Sequence, residues 1–148
     1  MAAVTGTARA FGVTASTTRP DRVWRLWTQP ASWGDWDRGL TSASLDGPFG
    51  PGARGRLVDT SGRTSRFVVE EVETGRHVRV RVRLPAASLV LDRSVLTSSG
   101  GDETLVRHDV RFEGPLGPVF AVLLGRRFRR LLPPTLEALV QAAQAPLP

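Results

Sequence analysis

Arg93 and His108 are the residues whose type and spacing bear most directly on chemistry. An arginine carries a permanent charge and several N–H donors, and an imidazole both donates and accepts. On a buried face, either one must find hydrogen-bond partners, water or a ligand. Two readings stay open at this point. The pair faces a ligand, or His108 is a satisfied core histidine while Arg93 snorkels to the rim or pairs with a carboxylate. Arg127 is the third candidate. At about 100° per residue it lies near the edge of the apolar stripe of a long C-terminal helix, whereas Arg126, Arg129 and Arg130 point away; the alternative for Arg127 is a solvated flank.

Other chemistries are excluded by composition. The chain of 148 residues has no cysteine, so disulfides and zinc–thiolate centres are ruled out. The two histidines, His77 and His108, cannot by themselves build a metal site, and neither a metal nor a cofactor is expected. No Gly-rich phosphate loop joins a strand to a helix, and there is no nucleophile elbow. The net charge of +6 raises the question of nucleic acid. Yet all 20 basic residues are arginine, and lysine, asparagine, isoleucine and tyrosine are missing altogether, a bias that fits GC-rich codon usage. No strand interleaves exposed aromatics with arginines as single-strand binders do, so nucleic acid is not an expected partner. The N-terminus lacks a basic region followed by an apolar run, and no apolar stretch reaches the roughly 18 residues of a membrane span. No membrane insertion and a cytoplasmic location are expected; the oligomeric state is left open.

The elements that must position the polar pair follow from periodicity. Val4 to Thr18, with Phe11, Val13 and Ala15 alternating, reads as a first strand. Thr18 as N-cap, Pro20 in the first turn and Asp21 near the helix dipole then start a helix carrying Val23, Leu26 and Trp27 on one stripe. It ends before Pro30, and Ala31 to Trp36 adds a helical turn with Trp33 and Trp36. Leu40 to Asp46 is a strand, followed by the Gly/Pro loop 47–52 with Phe49. Ala53 to Thr60, Thr64 to Glu73 and His77 to Leu84 form an antiparallel meander through turns at Gly62 and Gly75. In the last of these strands Val78, Val80, Val82 and Leu84 share one face, and Arg79, Arg81 and Arg83 the other. The strand before it is ambiguous, because Phe67/Val69 and Val68/Val72 have opposite parity; a bulge would reconcile them.

Ala87 to Thr97 and Thr104 to Glu113 close the sheet. A turn centred on Gly100-Gly101 sets Leu89, Leu91 and Val95 opposite Phe112, Val110 and Val106. All six apolar side chains then share the face that also carries Arg93 opposite His108. The C-terminal helix starts near Pro118 with a stripe of Phe120, Leu124, Phe128 and Leu131, and Leu132 at its edge. Pro133-Pro134 should kink or interrupt it before Leu136, Leu139 and Val140 resume the stripe.

This order resembles the START-like, helix-grip fold of the SRPBCC superfamily, particularly its polyketide cyclase/dehydrase-like members, over roughly residues 8 to 143 of a single domain. The resemblance rests on Pro20-Asp-Arg-Val-Trp-Arg-Leu-Trp27 leading to Trp33 and Trp36, on Gly52-Ala-Arg54, and on Glu113-Gly-Pro-Leu-Gly117. It implies an α+β fold: a curved antiparallel sheet of about six to seven strands wrapped around the C-terminal helix, with two short helices after the first strand. It also implies an apolar cavity for a lipid, polyketide or similar hydrophobic molecule. Candidate walls are Phe11, Trp27, Trp36, Phe49 and Phe67 from the first half of the chain. Leu91, Val110, Phe112, Phe120, Leu124 and Phe128 come from the second, together with Arg93 and His108. The expected role is that of a carrier or sensor. The alternative is a cyclase or dehydratase in which His108 is the general acid/base and Arg93 or Arg127 stabilises an enolate. A third is an interaction protein acting through its arginine-rich outer sheet.

Overall fold

Strands form where the sequence alternates, and in the computed structural model, which describes residues 3–96 and 104–145, they make one antiparallel sheet. The strands are β1 (Thr5–Gly6), β2 (Ala10–Thr17), β3 (Leu40–Leu45), β4 (Arg54–Asp59), β5 (Thr64–Glu73), β6 (His77–Leu84), β7 (Ala87–Leu96) and β8 (Thr104–Glu113). Their order in the sheet is β1-β2-β8-β7-β6-β5-β4-β3. Eight strands exceed the expected six to seven because the N-terminal stretch is divided: Gly6, at φ +124°, and Thr7 turn the chain back so that β1 pairs with β2. The fold is α+β, a curved sheet gripping one long helix.

The β7–β8 register is the one the sequence predicts, with Leu89 opposite Phe112, Leu91 opposite Val110 and Arg93 opposite His108. The turn expected at Gly100-Gly101 lies outside the described residues. The parity conflict in β5 is resolved by a register shift between Val69 and Glu71. Phe67 and Val69 are buried before the shift, and Val72, opposite Val78, returns to the core side after it. Between β6 and β7, Ala86 adopts a positive φ of 49° directly after Pro85, as the third residue of a type II turn requires when proline holds the second at negative φ.

Between β2 and β3 the chain forms α1 (Pro20–Trp27), a 3-10 turn (Pro30–Ser32) and the short α2 (Trp33–Trp36). Arg19, not Thr18, occupies the N-cap of α1, and no side chain caps it. Thr17 Oγ1 instead accepts the Arg19 N–H at 3.0 Å, while Pro20 needs no partner for a missing N–H. Val23 and Trp27 are fully buried, and Arg22 reaches across to the Ala143 and Ala145 carbonyls, placing a cation at the C-terminus of the last helix.

That helix, α3 (Gly117–Gln144), runs unbroken through Pro133 and Pro134, so the expected interruption does not occur. Each proline removes one backbone donor, but Leu132, Thr135, Leu136 and Leu139 around them are buried, and this packing holds the segment helical. The stripe also differs from expectation. Leu132, Leu136 and Leu139 are buried as expected, but in the first half of the helix the buried positions are Gly117, Ala121 and Gly125, while Phe120, Leu124, Phe128 and Leu131 are only half-buried. Arg129 does not point away, because its guanidinium lies 4.5 Å from the centre of the Phe11 ring and donates to the Thr7 carbonyl.

Candidate functional site

The half-buried stretch of α3 marks where helix and sheet separate. A cleft of about 140 Å³ lies there, far beyond the roughly 10–15 Å³ that one water needs. Leu57, Val82, Leu89, Leu91 and Val110 form its sheet wall, and Leu124, Phe128, Leu131 and Leu132 its helix wall. Of its polar side chains Arg93 and His108 are buried and Asp37 is half-buried, and Asp59, Arg63 and Arg127 stand toward its rim.

Packing fixes each of these polar groups. His108, 5% exposed, accepts the indole N–H of Trp27 at its Nε2 across 2.9 Å, with the Trp27 and Trp36 rings 5.7 and 5.8 Å away. With Nε2 as the acceptor, the proton of the neutral ring sits on Nδ1. Burial, reinforced by the positive field of Arg93, holds His108 well below the ordinary imidazole value.

Arg93 is 3% exposed, and its guanidinium lies 4.5 Å from the centre of the Trp33 ring and 5.1 Å from that of Trp36. Both tryptophans come from α2. Trp33 is anchored by its indole N–H to the Trp27 carbonyl at 3.1 Å, and the turn after α2 is tied to α3 by the Arg38 N–H on Thr135 Oγ1 at 2.9 Å. Burial pushes the Arg93 guanidinium down to about 10, opposed by the charge of Asp37, so it is cationic at neutral pH. Its Nη1 has no hydrogen-bond partner among the described residues.

Asp37, directly after α2, accepts the Gly39 N–H at 2.9 Å. Burial raises its carboxyl above the ordinary carboxylate value, against the pull of Arg93 and of that N–H. The two side chains sense each other's field without forming an ion pair.

Six of the residues picked out in the sequence as ligand contacts therefore meet at the cleft: Leu91, Arg93, His108, Val110, Leu124 and Phe128. Arg127 stands at the mouth and donates to Thr60 Oγ1 at 2.6 Å. Phe11, Trp27, Trp36, Phe67 and Phe112 are packed in the core behind the cleft, and Phe49 and Phe120 lie half-buried against that core. Asp37 and Trp33 were not among the expected site residues. Their one sequence signal is position, an acid directly after a tryptophan-bearing turn, and only the folding of α2 onto the sheet brings them to Arg93.

The outer face of the sheet carries charges of both signs. Asp92, 8% exposed, accepts Arg79 Nε at 2.8 Å and lies 2.7 Å from His77 Nε2, with Arg111 at 3.3 Å. Arg81 bonds Glu70 and Glu113. Around Arg79, Arg81 and Arg111 this face is a compensated ion-pair ladder between neighbouring strands, whereas Arg56, Arg66 and Arg83 on the same face are exposed and make no ion pair among the described residues.

This cavity between a curved sheet and a C-terminal helix is the architecture of a helix-grip protein. Residues 7–144 match the family model described as polyketide cyclase / dehydrase and lipid transport, and the chain belongs to that family. Among solved structures, it resembles a protein from Arthrobacter aurescens (TM-score 0.70, 15% identity, covering 97% of this chain and 92% of that one). A Mesorhizobium loti protein is similar at TM-score 0.69 and 20% identity, covering 94% and 100%. Truncated norcoclaurine synthase from Thalictrum flavum is similar at TM-score 0.70 and 10% identity, covering 99% of each. No curated protein matches the sequence. No helix among the described residues is long and apolar enough to cross a membrane.

Proposed function

We propose that the cleft binds a small, largely hydrophobic molecule and that the protein acts as its carrier or sensor. The observation that carries this reading is the cleft itself: aliphatic and aromatic walls from sheet and helix converge on a few buried polar groups, the usual composition of a small-molecule site. Family membership supports it, as does a norcoclaurine synthase of the same fold, solved with dopamine and hydroxybenzaldehyde.

Catalysis of the cyclase or dehydratase kind has less support from the geometry. A general base needs a free lone pair and a general acid a labile proton. His108 has its Nε2 lone pair engaged by Trp27 and is held neutral by its surroundings. A role through Arg79 and Arg81 of the outer face is disfavoured by their pairing with carboxylates.

Native mass spectrometry of gently purified protein, followed by solvent extraction, tests the binding reading. A one-to-one hydrophobic adduct is expected, lost when Leu124→Trp fills the cleft. An adduct that survives Leu124→Trp unchanged places the ligand elsewhere and overturns the assignment.

A further inference from the structure

Arg93 combines features that a purely structural arginine does not need. It sits in mid-sheet, almost wholly buried, on the wall of the cleft. Trp33 and Trp36 pack near its guanidinium and satisfy its charge in part through their π-systems. Indole faces are not hydrogen-bond acceptors of the ordinary kind, however, and Nη1 is left without a partner among the described residues. A buried donor without an acceptor is costly, and such groups in a folded protein call for an explanation. Asp37, the acid whose charge acts on Arg93, forms no ion pair with it, and its Oδ1 accepts the Gly39 N–H instead.

We propose that Arg93 is the anchor for a carboxylate, and that the ligand is a small amphipathic monocarboxylic acid whose apolar body lies along Leu89, Leu91, Leu124 and Phe128. This rests on the reading that the cleft takes a small hydrophobic molecule, and it names the chemical class. A carboxylate supplies both the acceptor that Nη1 lacks and the opposite charge; a neutral carbonyl or hydroxyl supplies only the first. A dianion such as a phosphate monoester fits poorly, because Arg93 is the one buried guanidinium on the lining, Arg63 and Arg127 stand toward the rim, and Asp37 is nearby to repel the second charge.

Isothermal titration of matched pairs tests the proposal: octanoate against octan-1-ol, and 2-naphthoate against 2-naphthalenemethanol, on the wild type and on Arg93→Met. At least one acid should bind the wild type about tenfold or more tightly than its alcohol. Arg93→Met, checked for folding by circular dichroism, should abolish that preference: the acid loses about tenfold or more in affinity, and the alcohol, which offers Nη1 only a neutral acceptor, loses less. If the variant does not fold, [1-13C]octanoate on the wild type serves instead; its bound carboxyl should titrate below the free acid. Acids and alcohols that bind equally, or a bound carboxyl that titrates like the free one, overturn the carboxylate anchor and leave the hydrophobic cleft standing. If no member of either pair binds, the cleft reading fails and takes this proposal with it.

Discussion

Trp27 donates its indole N–H to His108 Nε2 across 2.9 Å, joining the first helix to the last strand inside the core. The bond fixes the tautomer of His108 and, together with burial and the field of Arg93, makes protonation of the ring unfavourable.

Stability should therefore depend on pH in a stated direction. The folded value of His108 lies below the unfolded value of about 6.5, so between the two the unfolded chain binds more protons. The stabilisation is complete above pH 6.5 and is lost as pH falls toward the folded value, at up to about 1.4 kcal/mol per unit. Asp37 acts the other way, since its raised carboxyl favours the folded state at low pH and that contribution fades as pH rises through its folded value. Urea unfolding from pH 7.5 to 5 should show a steeper loss for the wild type than for His108→Gln, which keeps an acceptor for Trp27 but does not titrate. Asp37 is common to both and cancels in the comparison. Parallel curves would contradict a neutral buried His108.

Arg93 should cost the ligand-free protein stability. A buried guanidinium with an orphan N–H is held charged at a penalty, and apolar replacement of such groups is often neutral or stabilising. Against this stand the contacts with Trp33 and Trp36. Arg93→Met is expected to gain about 1 kcal/mol net, raising Tm by roughly 3 °C. A thermal melt of ligand-free protein checks it, and a drop of several degrees would mean that Arg93 is a satisfied structural residue.

How much of this was legible in the sequence depends on how local the signal was. The register that sets Arg93 beside His108 followed from two alternating strands, because one slip would turn every apolar side chain to solvent. The β5 bulge could be posed but not decided, since both parities of Val68 and Val69 were apolar. The helical stripe was centred on the bulky Phe120, Leu124 and Phe128, whereas the buried positions of that stretch are Ala121 and Gly125, which a search for large apolar residues passes over. Asp37 was hidden for a different reason: its meaning comes from α2 folding onto the sheet, a tertiary event with no periodicity.

Gly34 makes that tertiary event possible. A Cβ there would fall 2.3 Å from the Thr41 carbonyl oxygen and 2.9 Å from its carbon, both backbone atoms that cannot swing aside. Gly34→Ala must therefore lift the α2 turn that bears Trp33 and Trp36 away from β3. A loss of about 1–3 kcal/mol is expected, with altered tryptophan fluorescence as the packing against Arg93 loosens. An unchanged melt and spectrum would show that α2 does not depend on this close approach.

The central claim is that the space between sheet and α3 is a binding site. The most direct test is an NMR titration of the 15N-labelled protein with 2-naphthoate, following the indole N–H signals of Trp27, Trp33 and Trp36 alongside the backbone amides. Saturable one-to-one shifts are predicted at Trp33, Leu91, Val110, Leu124 and Phe128, with the Arg79 and Arg81 amides of the outer ladder left largely unmoved. Shifts confined to the outer ladder, or none at all, would contradict it.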